Sequence, residues 1–122
     1  IAKHGQELLA LAKANNVNLF FEASVAGGIP ILRPMKQCLA ANEVTKVMGI
    51  LNGTTNYILT QMGEKGESFD AALKEAQDKG FAEADPTDDV KGFDAARKLA
   101  ILSSIAFNTR ITPDKIYTQD TP

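Results

Sequence analysis

The sequence predicts an α+β fold, with a small mixed β-sheet covered by helices on one face. Two apolar segments, residues 18–23 and 43–51, have the composition of strands. Each is followed by a glycine-containing turn and a segment with helical periodicity. Because the first of these segments is rich in apolar residues throughout, the predicted sheet should be buried on both faces. The helices cover one face of the sheet. Because the strands are apolar on both sides, the other face must be covered as well.

Two helices and two strands are predicted in the first half of the chain. In order, these are a helix over 1–15, a strand over 18–23, a helix over 30–41 and a strand over 43–51. The first helix is amphipathic, with Leu8 and Leu11 on one face. Paired glycines, Gly27 and Gly28, predict a tight turn, and Pro30 suits the first position of the helix that follows.

Three helices and a final strand are predicted in the second half. They are helices over 54–62, 68–79 and about 88–107, and a strand from 116. Gly63 and Gly66 should end the first helix, Ser68 suits the N-cap of the second, and Asp88 or Asp89 can cap the third. Since no repeat or low-complexity linker interrupts this pattern, residues 1–122 are predicted to form a single domain.

Composition argues against several classes of protein. A formal net charge of −2 and a pI near 5.3 argue against nucleic acid as the main partner. A single cysteine, Cys38, excludes an internal disulfide, suits a reducing cytoplasm and is predicted to be a core residue of an apolar helix. Since His4 is the only histidine, a Ser/His/Asp triad or a structural zinc site has little support. No apolar run is long enough to span a membrane, and no signal peptide is recognised.

Asp94 and Lys98 lie one turn apart on the last predicted helix, on a stripe shared with apolar residues. Val90, Ile101 and Ile105 complete the stripe, so the two charged side chains are expected to point inward or into a cleft. The alternative is an ordinary ion pair on a solvated face, worth about 0.3–0.5 kcal/mol. The pattern alone leaves both interpretations open.

Two glycine turns between a strand and a helix are candidate binding elements. At the first turn, backbone carbonyl groups around Gly27 and Gly28, together with Glu22, could bind a hard monovalent cation, although a plain turn is the simpler interpretation. At the second turn, neutral polar side chains surround a helix N-terminus, which suits a carboxylate or an oxyanion. These side chains are Asn52, Thr54, Asn56 and Tyr57. Helix capping by Thr54 or Thr55 explains the second turn equally well.

Carboxylates are concentrated between residues 80 and 89, on a loop stiffened by Pro86. The four candidates are Glu83, Asp85, Asp88 and Asp89. Together with the helix that carries Asp94 and Lys98, they suit a site that holds an amino group and moves a proton on a hydroxyl group.

Three long motifs resemble the catalytic domain of homoserine dehydrogenase. They are FEASVAGGIPI over 21–31, GILNGTTNYIL over 49–59 and GFAEADPTDDVKGFDAARKLAIL over 80–102. The resemblance covers nearly the whole chain. It implies an enzyme that interconverts L-homoserine and L-aspartate 4-semialdehyde with NAD or NADP, in threonine, methionine and isoleucine biosynthesis. It also implies a cytoplasmic homodimer in which the second sheet face is used for dimerisation.

The same resemblance implies roles for the matching residues. Lys98 would lie at the reacting oxygen, where it shuttles the proton or only polarises that oxygen, with Asp94 beside it. Glu83 and Asp89 would hold the amino group of the substrate. The substrate pocket would be lined by Gly53, Thr54 and Tyr57. A sodium ion would be bound, mostly through backbone carbonyls, by Glu22, Val25, Gly27 and Ile29. Gly28 and Pro30 match positions near the nicotinamide.

The chain also departs from the family pattern. It has no glycine-rich dinucleotide-binding fingerprint, so NAD(P) would be bound mainly by a domain absent from this chain, and the chain alone is expected to be inactive. The family's second catalytic lysine, in a Thr-Ala-Asn-Lys motif, is missing, and Lys3 does not take its place. The alternatives are an amino-acid-binding or regulatory module without catalysis, and a structural domain whose carboxylates are caps and surface pairs.

Overall fold

A computed structural model describes residues 1–121, in which six α-helices are the main regular elements. The helices are α1 (Gly5–Ala14), α2 (Leu32–Gln37), α3 (Gly53–Lys65), α4 (Phe69–Asp78), α5 (Thr87–Val90) and α6 (Phe93–Ala106). Short 3-10 helices lie at Glu22–Ser24 and Pro113–Lys115. None of the helices within residues 1–121 has the length and apolar character needed to cross a membrane.

Contacts group the chain into two units. The first unit comprises Ile1–Gly49 and Arg97–Ile116, and the second comprises Ile50–Ala96 and the segment that starts at Tyr117. Helix α6 begins in the second unit and continues into the first. The predicted candidate residues are therefore divided between the two units: Glu83, Asp89 and Asp94 belong to the second, whereas Glu22 and Lys98 belong to the first.

The predicted β-sheet is wrong for the residues that the structure describes. Residues 18–21 and 43–52 lie outside any regular element, and no strand occurs within residues 1–121. A strand requires a hydrogen-bonded neighbour, and composition identifies a strand-like segment without identifying that neighbour. Phe20, Met48 and Ile50, which a sheet would bury, are 87%, 77% and 76% exposed. The α+β class, with its second sheet face for dimerisation, is therefore corrected to an all-helical arrangement, and the strand predicted from residue 116 is also absent.

Most of the predicted helices are present, with changed boundaries. The Ser68 hydroxyl caps α4 by accepting a hydrogen bond from the N–H three residues later, at 3.3 Å. Helix α3 ends at Gly66, whose φ of 69° glycine adopts without a steric cost, whereas Gly63 lies inside the helix. The single helix predicted over about 88–107 is divided into α5 and α6 by Gly92, which has a φ of 73°.

Helices α3 and α4 pack around a small apolar core in the second unit. Its fully buried members are Ile58, Ala72 and Ala76, surrounded by the partly buried Tyr57, Met62, Phe69, Leu73 and Ala82. The small alanine side chains let the two helices approach closely. Because Ala82 belongs to the loop after α4, this core also fixes the start of the segment that carries Glu83.

The end of α6 in the first unit is held by Ser104. Its hydroxyl donates to the carbonyl of Ala100 at 2.7 Å and accepts the N–H of Ile111 at 3.0 Å. The chain after α6 is thereby folded back onto the helix. Cys38 also belongs to the first unit, and it is exposed immediately after α2, so the prediction that it is a core residue is wrong. Helix α2 ends at Gln37, so Cys38 is not part of the helix whose apolar face was predicted to bury it.

Candidate functional site

A cleft of about 720 Å³ in the second unit gathers the predicted carboxylates. Its acidic lining residues are Glu83, Asp85, Asp88, Asp89 and Asp94. They come from the loop after α4, from α5 and from the first turn of α6. The structure thus brings together the four loop candidates and Asp94, including Glu83, Asp89 and Asp94, to which the family resemblance gives roles in the site. We call this space the acidic cleft; its lining suits a cationic group such as a protonated amine.

Asn52 joins two of these carboxylates. Its side-chain nitrogen donates to Asp89 Oδ1 at 2.6 Å and to Asp94 Oδ2 at 2.9 Å. Its side-chain oxygen accepts the N–H of Thr55 at 2.8 Å and the Thr55 hydroxyl at 2.9 Å, which caps α3. Asn52 is only 8% exposed. Sequence reasoning placed Asn52 in the polar turn but did not select it as a site residue, because its two carboxylate partners lie 37 and 42 positions away.

The loop that presents Glu83 is anchored at its backbone. The hydroxyl of Thr54 donates to the carbonyl of Phe81 at 2.8 Å, and the side-chain amide of Gln77 donates to the carbonyl of Glu83 at 3.0 Å. The rings of Phe81 and Tyr57 lie 5.1 Å apart between centroids. The carboxylate of Glu83 is exposed on this fixed backbone. Gln77 was not predicted, since a glutamine on a helix face carries no signal for such a contact.

The residues predicted to line the substrate pocket do not line the acidic cleft. Thr54 is 7% exposed, and its hydroxyl is engaged by the loop. The Tyr57 hydroxyl lies 2.8 Å from Lys79 Nζ, which also pairs with Glu75 at 2.5 Å. The hydrogen bond to Glu75, followed by that to Tyr57, raises the pKa of Lys79 above its ordinary value. Substrate contacts by Gly53, Thr54 and Tyr57 therefore stay predictions.

Asp85 has a structural task within the acidic cleft. Its Oδ1 accepts the hydroxyl of Thr87 at 2.6 Å and the N–H of Thr87 at 3.1 Å, which starts α5. These bonds, that of the hydroxyl first, hold the pKa of Asp85 below its ordinary value. Since Asp85 is engaged in this way, Glu83 is the better candidate on this loop for binding a ligand.

Lys98 is half-buried on α6, four residues after Asp94. The helical spacing predicted for the pair is confirmed, because both residues lie within Phe93–Ala106. Residues four apart on a helix share a face, which is the arrangement that the sequence predicted for them. Their catalytic roles stay predictions.

Glu22, predicted to bind sodium, caps the N-terminus of α2. Its Oε1 accepts the N–H groups of Ile31 at 2.5 Å and Leu32 at 2.9 Å, and its Oε2 accepts that of Arg33 at 2.7 Å. Desolvation acts to raise the pKa of Glu22, but the three backbone hydrogen bonds and the charge of Arg33 outweigh it and hold this pKa below the ordinary value of 4.5. Pro30 did indicate a helix start from the sequence, but α2 begins at Leu32, so its predicted place at the first helical position is wrong.

The glycine turn after Glu22 is confirmed and exposes its backbone. Gly28 has a φ of 83°, and the N–H of Ile29 bonds to the carbonyl of Ala26 at 2.8 Å. Val25 is only 1% exposed, whereas Gly27 and Ile29 are exposed. Residues 1–121 also contain no cluster of three or more histidine, cysteine or acidic side chains suited to a metal. Glu22 is engaged by backbone N–H groups, and the sodium site stays a prediction.

Replacing Glu22 by glutamine should abolish a pH-dependent part of the stability. Because the pKa of Glu22 is lowered on folding, its stabilisation is fully present above pH 4.5 and is lost as the pH falls through the folded-state pKa. We therefore expect Glu22→Gln to lower the Tm near neutral pH and to change it little in strong acid, as followed by circular dichroism. Glu64→Gln, an exposed position on α3, is the matched control. An equal Tm loss at both pH values would contradict this account.

A second, mostly apolar cleft of about 890 Å³ lies in the first unit. Leu9, Phe21, Met35 and Ile105 are among its lining residues. The predicted site residues are not among those that line it. Its apolar lining lacks the cluster of carboxylates found in the acidic cleft.

Comparisons with known proteins agree with the motifs. The family model for homoserine dehydrogenase matches residues 30–121. The homoserine dehydrogenase of Bacillus subtilis is 57% identical over 111 residues, which is 91% of this chain and 26% of that protein. The crystal structure of a homoserine dehydrogenase from Thiobacillus denitrificans superposes with a TM-score of 0.93 at 51% identity, over 98% of this chain and 28% of that chain.

A more distant structure extends this agreement. A putative homoserine dehydrogenase from Archaeoglobus fulgidus has a TM-score of 0.89 at 40% identity, over 96% of this chain and 36% of that chain. The chain thus spans about a quarter to a third of the length of these relatives. Since the family model covers well over half of its residues, the chain belongs to the homoserine dehydrogenase family.

Proposed function

We propose that this chain is the substrate-binding and catalytic part of an oxidoreductase that interconverts L-homoserine and L-aspartate 4-semialdehyde with NAD or NADP. The acidic cleft carries the proposal, because Glu83, Asp89 and Asp94 line one space in a chain of this family. The protonated amino group of homoserine complements the charge of these carboxylates. Because the chain spans only a fraction of its relatives, the activity is proposed for a longer protein that contains it.

Glu83 and Asp89 hold the ammonium group of the substrate in this proposal. The exposed carboxylate of Glu83 stands on a loop whose backbone is fixed by Gln77, so it is accessible without being loosely placed. Asp89 is half-buried and is held by Asn52. An accessible carboxylate and an oriented one together suit the capture and alignment of a small amino acid.

Lys98 acts at the hydroxyl oxygen of the substrate. Oxidation of the alcohol breaks the C–H bond and the O–H bond, and a nicotinamide cofactor, when bound, supplies the acceptor for the hydride. Lys98 either takes up the hydroxyl proton or polarises the oxygen through its ammonium group, and both roles stabilise the charge that changes on that oxygen. Asp94, one helical turn earlier on α6, balances the positive charge of Lys98.

The glycine turn of the first unit is assigned to the cofactor and an ion. Gly28 and Pro30 are exposed, which supports contact with a nicotinamide whose nucleotide part is bound mainly by a domain outside this chain. A sodium ion is assigned to Glu22 and to the backbone carbonyl groups of Val25, Gly27 and Ile29, as the family resemblance implies. These assignments rest on the family resemblance and on the exposure of Gly27, Gly28, Ile29 and Pro30.

A cytoplasmic homodimer that serves the biosynthesis of threonine, methionine and isoleucine completes the proposal. The exposed side chains of Phe20 and Met48, both in the first unit, support association with a further polypeptide surface. Cys38 is free, which is compatible with a reducing compartment.

Homoserine-dependent reduction of NAD and of NADP, measured side by side for this chain and for the longer protein, tests the proposal. We expect turnover only in the longer protein, because the proposal assigns most of the cofactor binding to residues outside this chain. Absence of turnover in both would contradict the proposed oxidoreductase. Homoserine binding measured by calorimetry would then favour an amino-acid-binding module without catalysis.

A further inference from the structure

We propose that Asn52 is a positioning residue that holds Asp89 and Asp94 in place for the reaction of homoserine. The inference rests on the proposed function and deepens it, because it explains how two carboxylates of the acidic cleft are aligned. Asn52 need not touch the substrate in this role. It acts through the two carboxylates to which its side-chain nitrogen donates.

The orientation of the Asn52 side chain is fixed by its neighbours. The N–H and the hydroxyl of Thr55 both donate to the side-chain oxygen, so the side-chain nitrogen must face the carboxylates. Rotating the amide by half a turn would set its oxygen against Asp89 and Asp94 and its N–H groups against the donors of Thr55. All four hydrogen-bonding positions of this side chain are therefore used in one orientation only.

Two neighbouring carboxylates need such a donor. Asp89 lies on α5 and Asp94 on α6, and their like charges repel each other when they are brought to one place. The amide of Asn52 supplies one N–H to each carboxylate, and hydrogen bonds to charged acceptors are stronger than neutral ones. Because Asn52 is buried, these bonds are also shielded from competition with water.

Because Asn52 lies at the start of α3, this helix contacts both the two aspartates and the loop that carries Glu83. Asn52 is the N-cap of α3, and Thr54, in the first turn of the same helix, holds the carbonyl of Phe81. The beginning of α3 thus fixes Asp89 and Asp94 through one residue and the loop of Glu83 through another. A shift of this helix start would displace every carboxylate assigned to the substrate.

The variant Asn52→Ser separates positioning from helix capping. Serine also caps helices well, so the bond to the Thr55 N–H is kept, but its side chain is too short to reach both carboxylates. In the longer protein we expect kcat to fall and the KM for homoserine to rise, each by at least about tenfold, because two charge-assisted hydrogen bonds are lost. The KM for NAD or NADP should change by less than about twofold, since no cofactor contact is affected.

Ser68→Ala is the matched control. It removes the N-cap of the neighbouring helix α4. The lost hydroxyl group, that of Ser68, accepts a hydrogen bond from the N–H of Ala71 and does not contact the carboxylates of the acidic cleft. It should lower the Tm and leave kcat and both KM values unchanged. The proposal is overturned if Asn52→Ser keeps kcat and the homoserine KM near those of the unchanged protein. It is also overturned if the cofactor KM rises in parallel with the homoserine KM.

A thermodynamic cycle tests the contact between Asn52 and Asp94 separately from the chemistry. Absence of turnover in the unchanged protein would refute the proposed function but would leave the bond between Asn52 and Asp94 testable. The Tm losses of Asn52→Ser and Asp94→Asn should then sum to at least about 2 °C more than the loss of the double variant, because residues in contact are energetically coupled. Strictly additive losses would overturn the positioning role.

Discussion

Replacing Lys98 by alanine in the longer protein is expected to reduce kcat by about 10²–10⁴-fold, the range typical of a lost acid–base group. Lys98 is half-buried on α6, so the truncation removes the ammonium group without emptying the apolar core around Ala100 and Ile101. The fold should be kept, as judged by an unchanged circular dichroism spectrum. Steady-state kinetics with homoserine and the preferred cofactor measure the loss.

Lys91→Ala is the appropriate control for this experiment. Lys91 is exposed at the end of α5 and carries the same charge, but no role is assigned to it. Its replacement should leave kcat within about twofold of the unchanged protein, as expected for a surface substitution away from the site. If Lys98→Ala turned over homoserine at a near-normal rate, Lys98 would have no part in the chemistry.

Glu83→Gln should raise the KM for homoserine by about 10- to 100-fold, because it removes a charged partner of the substrate's ammonium group. The two side chains have nearly the same shape, and the loop is held through the backbone carbonyl of Glu83 by Gln77. The substitution therefore changes the charge of the acidic cleft and leaves its geometry intact. Initial rates at varied homoserine and at varied cofactor separate the two KM values.

Glu64→Gln gives the matching control for the loss of one negative charge. Glu64 is exposed on α3 and does not line the acidic cleft. Both KM values should be unchanged in this variant. An equal rise in the cofactor KM and the homoserine KM for Glu83→Gln would show instead that Glu83 supports the structure of the loop.

The helices could be predicted because their signals are local. Ser68 caps α4 through the N–H three residues later, and Gly66 ends α3 with a left-handed conformation. The boundary errors are local as well. Gly92 divides the last predicted helix, and α2 ends at Gln37, which leaves Cys38 exposed.

The sheet could not be judged from composition. The apolar segments around Phe20 and Met48 have strand-like sequences, but a strand exists only when a second segment satisfies its N–H and C=O groups. Such partners are distant in sequence, and no pattern within the segments identifies them. The described residues supply no such partner segment, and the side chains of Phe20 and Met48 are exposed to solvent instead.

The candidate site could be predicted only where its residues are close in sequence. Glu83, Asp89 and Asp94 are close in sequence and do line one cleft. The capping of α2 by Glu22 and the bridge from Asn52 to two carboxylates join residues that lie 9 to 42 positions apart. Both contacts depend on how helices pack, which the spacing of residue types does not reveal.

The bridge made by Asn52 also bears on the chemical durability of the site. Asn52 is followed by Gly53, the pair in which the backbone nitrogen of glycine most readily attacks the side-chain amide carbon, expelling ammonia and giving aspartate or isoaspartate after hydrolysis. That attack requires the amide to rotate away from Thr55, Asp89 and Asp94, and rotation would break all four of its hydrogen bonds. Deamidation would place a third carboxylate between two others. The bonds that align the site thus also oppose the rotation that deamidation requires.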